Sequence, residues 1–203
     1  EVVGRFEPDV RREGLLAVGA SYVTITPVGF EQYESIARSV SDQVLAPERR
    51  DEFVPCRPVA ADAPDPACTA AFLRAVGHDL LRRPLEEADI EARLVIANAA
   101  VEQVGDFYAG LEAALSSLLL SPEFLFRTES LSPEDATADR GRLTDASVAQ
   151  RLSFFLWNTT PDAELLGAAE RGELMDDAGL KRQVDRLVDS RRLEGGVRAF
   201  FAD

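Results

Sequence analysis

The sequence predicts an all-α protein, a multi-helix, bundle-like array with a short extended or β segment near the amino terminus. Three observations carry this. Apolar residues recur at spacings of three and four along most of the chain, hydroxyl-plus-proline pairs or acidic residues open those stretches, and glycine, proline or paired arginines close them. With 203 residues, 46% hydrophobic and 29% charged, the chain is long enough for one ample core or two modest ones.

Leu15 to Ile25 is rich in β-branched residues toward its end and reads as a short strand or extended arm. Thr26-Pro27 then opens a helix to about Leu45, with Phe30, Tyr33, Ile36, Ala37, Val40 and Val44 on one face. The next segment holds Pro55, Pro58, Pro64 and Pro66 between Cys56 and Cys68, and it reads as a loop because proline offers no N–H to a helix or ladder. The two cysteines either bridge that loop or are two small core residues. A bridge would stabilise the fold by about 3 kcal/mol through loop closure, less whatever freedom the prolines already remove. An isolated pair around one loop favours the bridge and an exported protein, periplasmic or at the cell surface.

Phe72, Leu73, Val76 and Leu80 mark a second helix that Arg82-Arg83-Pro84 ends. A third begins near Leu85 behind Glu86, Glu87, Asp89 and Glu91, carries Ile90, Leu94, Ala97, Val101 and Val104, and stops at Gly105. A fourth carries Phe107, Leu111, Ala114, Leu115 and Leu118, and Ser121-Pro122 then launches a short element to Arg127. Leu131 to Arg142 has the composition of a linker. From Thr144 a largely buried helix is expected, with Val148, Leu152 and Phe155 on one face and Phe154, Leu156 and Trp157 widening it. Thr160-Pro161-Asp162 caps the next helix, which ends near Gly172, and Asp176-Asp177 opens a last one bearing Leu180, Val184, Leu187 and Val188 before Arg191-Arg192. The expected organisation is an amino-terminal helical subdomain over 1–128, a linker over 129–142, and the start of a second helical domain over 143–203. The opening Glu1-Val2-Val3-Gly4 and the apolar pattern still running at Asp203 read as the ends of an excised segment.

Function classes fall by counting. A formal net charge of -14 argues against nucleic acid and against an anionic membrane surface, and no apolar run approaches the ~18 residues needed for membrane insertion. One histidine, two cysteines and one methionine leave little for metal, nucleophile or haem chemistry. His78 falls off the apolar face of its helix and reads as a surface or capping residue. No serine elbow, phosphate loop or dinucleotide fingerprint is present. The acids at Glu86, Glu87, Asp89 and Glu91 read as a solvated helix start rather than a calcium loop, and catalytic, cofactor-binding and metal residues are each assigned as none. Trp157 beside Phe154 and Phe155 reads as core. An exposed Trp157 and Tyr108 would instead serve a carbohydrate-binding module. Arg127 and Arg151 border apolar stretches, so their burial would require Glu129, Asp162 or Glu164 as partners in structural ion pairs.

Three runs stand together: Leu80-Leu81-Arg82-Arg83-Pro84-Leu85, then Leu120-Ser121-Pro122-Glu123-Phe124-Leu125-Phe126-Arg127-Thr128-Glu129, then Arg151 to Trp157 followed by Pro161-Asp162-Ala163-Glu164-Leu165-Leu166. Their order and separations resemble two adjacent domains of unknown function in large exported proteins of the planctomycete and myxobacterial cytochrome c-associated type. The resemblance covers about two thirds of the chain. It implies that the first two runs belong to one domain and the third to the next. It also implies multidomain relatives, some with a Cys-x-x-Cys-His site for haem c in a neighbouring domain. No such site occurs here, and the resemblance supplies no catalytic residues. The functional expectation is a non-catalytic structural or interaction segment whose partners are other domains of the same polypeptide, or a protein or glycan. The alternative is scaffold for a periplasmic haem c-linked oxidoreductase.

Overall fold

The computed structural model of the chain describes residues 25–132 and 141–201. Among them the structure is all-α, with no strand and one isolated antiparallel bridge, Leu131 to Leu143. The extended arm expected before Ile25 lies outside the described residues, as do residues 133–140 of the expected linker. The chain divides into two compact units, one ending at Leu125 and the other starting at Phe126.

The first unit holds α1 (Pro27–Leu45), α2 (Arg50–Phe53), α3 (Pro66–Leu81), α4 (Glu87–Val104), α5 (Phe107–Leu119) and α6 (Pro122–Leu125). Helix α5 lies against α1, α3 and α4, and buries Phe107, Leu111, Ala114, Leu115 and Leu118. Its approach to α4 depends on Gly110. A Cβ there would meet the Ala97 carbonyl oxygen at 2.9 Å and collide with the Val101 side chain. Thr26 caps α1 by accepting from the Gly29 amide at 3.0 Å, with Pro27 in the first turn where no N–H is needed. Gly105, at φ 72°, closes α4 in the left-handed region that glycine enters at least cost.

The proline segment is shorter than its composition suggests. Helix α3 starts at Pro66, because Asp65 accepts from the Cys68 amide at 3.0 Å and proline in the first turn forfeits no bond. The amides of Cys68 and Val59 hold the Asp65 carboxyl below its ordinary range. Cys68 therefore stands in the first turn of a helix, and Cys56 is tied to it as a disulfide with Cα atoms 5.7 Å apart.

The second unit holds α7 (Asp145–Trp157), α8 (Ala163–Glu170), a 3₁₀ turn (Glu173–Met175), α9 (Asp177–Val188) and α10 (Leu193–Phe201). Ahead of α7, Ser132 and Thr144 bond across to Arg142 and Ser130, and the Ser130 amide donates to Ser147 Oγ at 2.9 Å. The buried face of α7 differs from the apolar stripe expected from its sequence. Ala149, Ser153 and Trp157 face inward, Val148 and Leu152 are half-buried, and Phe155 stands 79% exposed. Small residues let neighbouring helices come close, which side-chain bulk alone does not reveal. The same rule seats α10, where a Cβ on Gly196 would collide with the Leu156 carbonyl. Helix α8 starts one residue after Asp162, whose carboxylate accepts from the Leu165 amide at 3.0 Å, so Asp162 caps it and Thr160 does not.

Urea unfolding checks two expectations from this packing. Removing the disulfide by Cys56→Ala with Cys68→Ala lowers stability by about 3 kcal/mol, the loop-closure value for this spacing. Gly110→Val lowers it by about 1–3 kcal/mol through overpacking at α4. A silent result in either case contradicts the corresponding assignment.

Candidate functional site

The polar side chains of the motif runs meet in two networks, one in each unit. In the first, α3 ends at Arg82 in the left-handed region, φ 58°, and Pro84 prevents any return to helix. Arg82 is only 5% exposed and donates to the Glu123 carbonyl at the start of α6, with burial lowering its pKa against the pull of the nearby Glu123 charge. Arg83 points elsewhere. Its Nη1 donates to Asp89 Oδ2 at 2.8 Å and to the Pro84 carbonyl at 2.9 Å, while Nη2 donates to Glu123 Oε2 at 2.6 Å. Burial opposes the charge on Arg83, and the bonds to Asp89 and Glu123 outweigh it, so its pKa is raised. Burial also opposes the Asp89 carboxylate. The bond from Arg83, the Glu86 amide and the charges of Arg83 and Arg93 outweigh it and hold Asp89 below the usual carboxylate range.

In the second unit Arg186 of α9 grips Asp162 with both nitrogens of its fork, at 2.7 and 2.9 Å, and its Nε reaches Glu164 Oε1 at 3.1 Å. The bond from Arg186 is the main reason the Asp162 carboxyl lies below its ordinary range. Burial works the other way, while the Leu165 amide and the charges of Arg186 and Arg192 assist. Trp157 closes the network from α7. It is 5% exposed, and its Nε1 donates to the Leu187 carbonyl at 2.9 Å. The guanidinium carbons of Arg192 and Arg186 stand 5.0 and 5.7 Å from its ring centre. Beside it a cleft of about 640 Å³ is lined by Trp157, Thr159, Thr160, Asp162, Arg191 and Arg192.

Four sequence expectations change. Asp162 and Glu164 pair with Arg186, not with Arg127 or Arg151. Arg151 does bond Glu129, at 2.5 Å, but both side chains are exposed, so this pair joins two surface groups and not buried ones. Arg127 is exposed and lies over the Phe154 ring at 5.0 Å. Asp89, read from sequence as part of a solvated helix start, is a half-buried partner of Arg83. Its neighbour Glu87 does sit at the surface, bonded to Arg74 at 2.7 Å. The Arg83–Glu123 and Arg186–Asp162 pairings span 40 and 24 residues, and no local spacing signals them.

Elsewhere, His78 is partly exposed, with Nδ1 3.0 Å from Asp79 Oδ1. Among the described residues no group of three or more histidines, cysteines or acids could hold a metal ion. No described helix is long and apolar enough to cross a membrane. Arg50 covers the Tyr108 ring at 3.9 Å, so neither Tyr108 nor buried Trp157 offers the open face on which a sugar would stack. In a groove of about 450 Å³, lined in part by Asp42, Ser116 and Glu112, burial and then the charges of Asp42 and Asp106 raise the Glu112 pKa.

Residues 68–129 match the family model described as PSD5, protein of unknown function (DUF1595), and residues 143–203 match PSD4, protein of unknown function (DUF1592). No curated protein and no solved structure matches the chain. The Arg82 and Arg83 network lies wholly inside the first matched segment, and the Arg186, Asp162 and Trp157 network wholly inside the second.

The two kinds of arginine pair separate in a stability measurement. Arg186→Gln costs about 2 kcal/mol, since it strands a partly buried carboxylate, whereas Arg151→Gln changes stability by no more than about 0.5 kcal/mol. For Asp89 and Asp162 the folded pKa lies below the ordinary carboxylate value. Their stabilisation is complete above that value and is lost as pH falls through the folded pKa values. Acid unfolding followed by circular dichroism is therefore shallower in Asp162→Asn, and an unchanged profile contradicts the pairing.

Proposed function

We propose that this chain is a non-catalytic structural or interaction segment of a large exported multidomain protein, acting by presenting surfaces to other domains of the same polypeptide. The observation that supports it is a division of labour. Most polar groups of the motif runs are committed to bonds between elements of the fold, while large apolar groups of the second unit stand in solvent, with Phe155 and Phe201 79% and Phe200 74% exposed. Phe200 and Phe201 are adjacent on α10 and in edge-to-face contact, the kind of apolar exposure that marks an interaction surface. The disulfide supports an oxidising compartment, periplasmic or at the cell surface. We also place the boundary between the compact units near the 125/126 division, a few residues before the first matched segment ends at 129.

A finer form of the proposal makes the segment scaffold for a haem c-bearing neighbour. Its support is the two matched segments of unknown function, found where the motif runs resemble the cytochrome c-associated proteins.

Hydrogen exchange read by mass spectrometry tests the proposal. In the longer polypeptide, residues 193–201 exchange more slowly than in the isolated chain, and Phe200→Ser with Phe201→Ser removes the difference. Equal exchange in the two contexts contradicts an interaction role for this surface. A haem stain on the longer polypeptide decides the finer form.

A further inference from the structure

The cleft beside Trp157 gathers two arginines, Arg191 and Arg192, that form no ion pair among the described residues, although the Arg192 charge still acts on Asp162. Asp162 is the acid on its wall, and both its oxygens are already held by Arg186. Glu164 lies against the same guanidinium, and Glu194, close by in sequence on α10, is taken by Arg198 at 2.6 Å. Asp189, two residues before Arg191, does not line the cleft. Among the described residues neither Arg191 nor Arg192 has a carboxylate at ion-pair distance, and the hydroxyls of Thr159 and Thr160 make no hydrogen bond. In a chain with a net charge of -14, two arginines and two free hydroxyls on one concave wall are out of keeping with the overall composition.

The chemistry of these groups points to an oxyanion. Guanidinium is permanently charged and presents a planar fork that matches carboxylate and phosphate oxygens, while a threonine hydroxyl can donate one further bond. Two full positive charges are balanced by a dianion and only half balanced by a carboxylate. The cleft, about 640 Å³ and open to solvent, has room for a small anion and its substituent. We infer that this cleft binds the phosphate group of a small phosphate monoester, with Arg191 and Arg192 on the phosphate, Thr159 and Thr160 donating to it, and the rest of the ligand directed to the open mouth of the cleft. This goes beyond the structural role proposed above and does not depend on it.

Trp157 is the sole tryptophan of the chain and lies on the cleft wall, so its fluorescence reports occupancy directly. The 203-residue chain is titrated with inorganic phosphate, glucose 6-phosphate, a phosphoserine peptide and acetate, against sodium chloride at matched ionic strength. Phosphate and glucose 6-phosphate give a saturable change, glucose 6-phosphate binds more tightly than the peptide, and acetate and chloride give none. Arg191→Gln and Arg192→Gln each weaken binding about tenfold. Thr160→Val weakens it as well and leaves the charge intact, so it separates a hydrogen-bonded site from general attraction. All three positions are exposed, and an unchanged circular dichroism melt verifies that each variant folds. The inference is overturned if chloride reproduces the phosphate signal, if acetate binds as well as phosphate, if the peptide binds more tightly than the sugar phosphate, or if the arginine variants bind normally.

Discussion

The first unit depends on what happens to two consecutive arginines where α3 ends. Pro84 forbids the helix from continuing, so the chain must turn between Arg82 and Leu85, and a guanidinium carried into that turn loses water. Arg82 accepts a left-handed backbone, which a residue with a Cβ enters only at a cost, and its buried guanidinium finds the Glu123 carbonyl. Arg83 spans from Asp89, in the first turn of α4, to the Glu123 side chain in α6. One turn thus joins the end of one helix, the start of the next and a four-residue helix too short to persist alone. The surrounding apolar core of Leu73, Leu81, Ile90, Ala97, Ala114 and Leu118 supplies most of the burial, and the arginines tie together the elements at its edge.

The second unit solves a similar problem with different parts. Ala149, Ser153 and Gly196 supply little apolar area of their own, yet they admit the backbones of neighbouring elements to close range. Trp157 fills the remaining space and satisfies its N–H on Leu187, which fixes α7 against the end of α9. Arg186 then ties α9 to the capping residue of α8 through a bidentate bond. The same arrangement takes both oxygens of Asp162 and leaves Arg191 and Arg192 without an ion pair among the described residues, so the polar surface beside Trp157 follows from how the unit is held together.

Much of the helical framework was legible in the sequence because its signals are local. Thr26-Pro27, Gly105 and Ser121-Pro122 each act within a turn of themselves, and a period of three to four identifies α1, α4 and α5 without any tertiary knowledge. Pro66 misled because proline breaks a helix interior and also opens a helix, and only the Asp65 cap distinguishes the two. The stripe of α7 misled because burial there follows small side chains, whose weight in any hydrophobic pattern is low. Glu129 was legible as a partner for Arg151, but the partners of Arg83 and Arg186 were not. Which acid meets Arg83 or Arg186 is decided by how the helices pack, and a chain with 36 acids offers too many choices for spacing to decide. The sequence did place the relevant residue types inside the motif runs, and that is as far as local information reaches.

The role assigned to the turn at Arg82-Arg83-Pro84 is tested most directly by a double-mutant cycle on the Arg83–Asp89 bond, with Arg83→Met, Asp89→Asn and the double variant unfolded in urea. Both side chains are mostly buried, so a coupling energy of about 1–2 kcal/mol is expected. A coupling energy below about 0.3 kcal/mol, with the single variants each folding normally, would contradict the account.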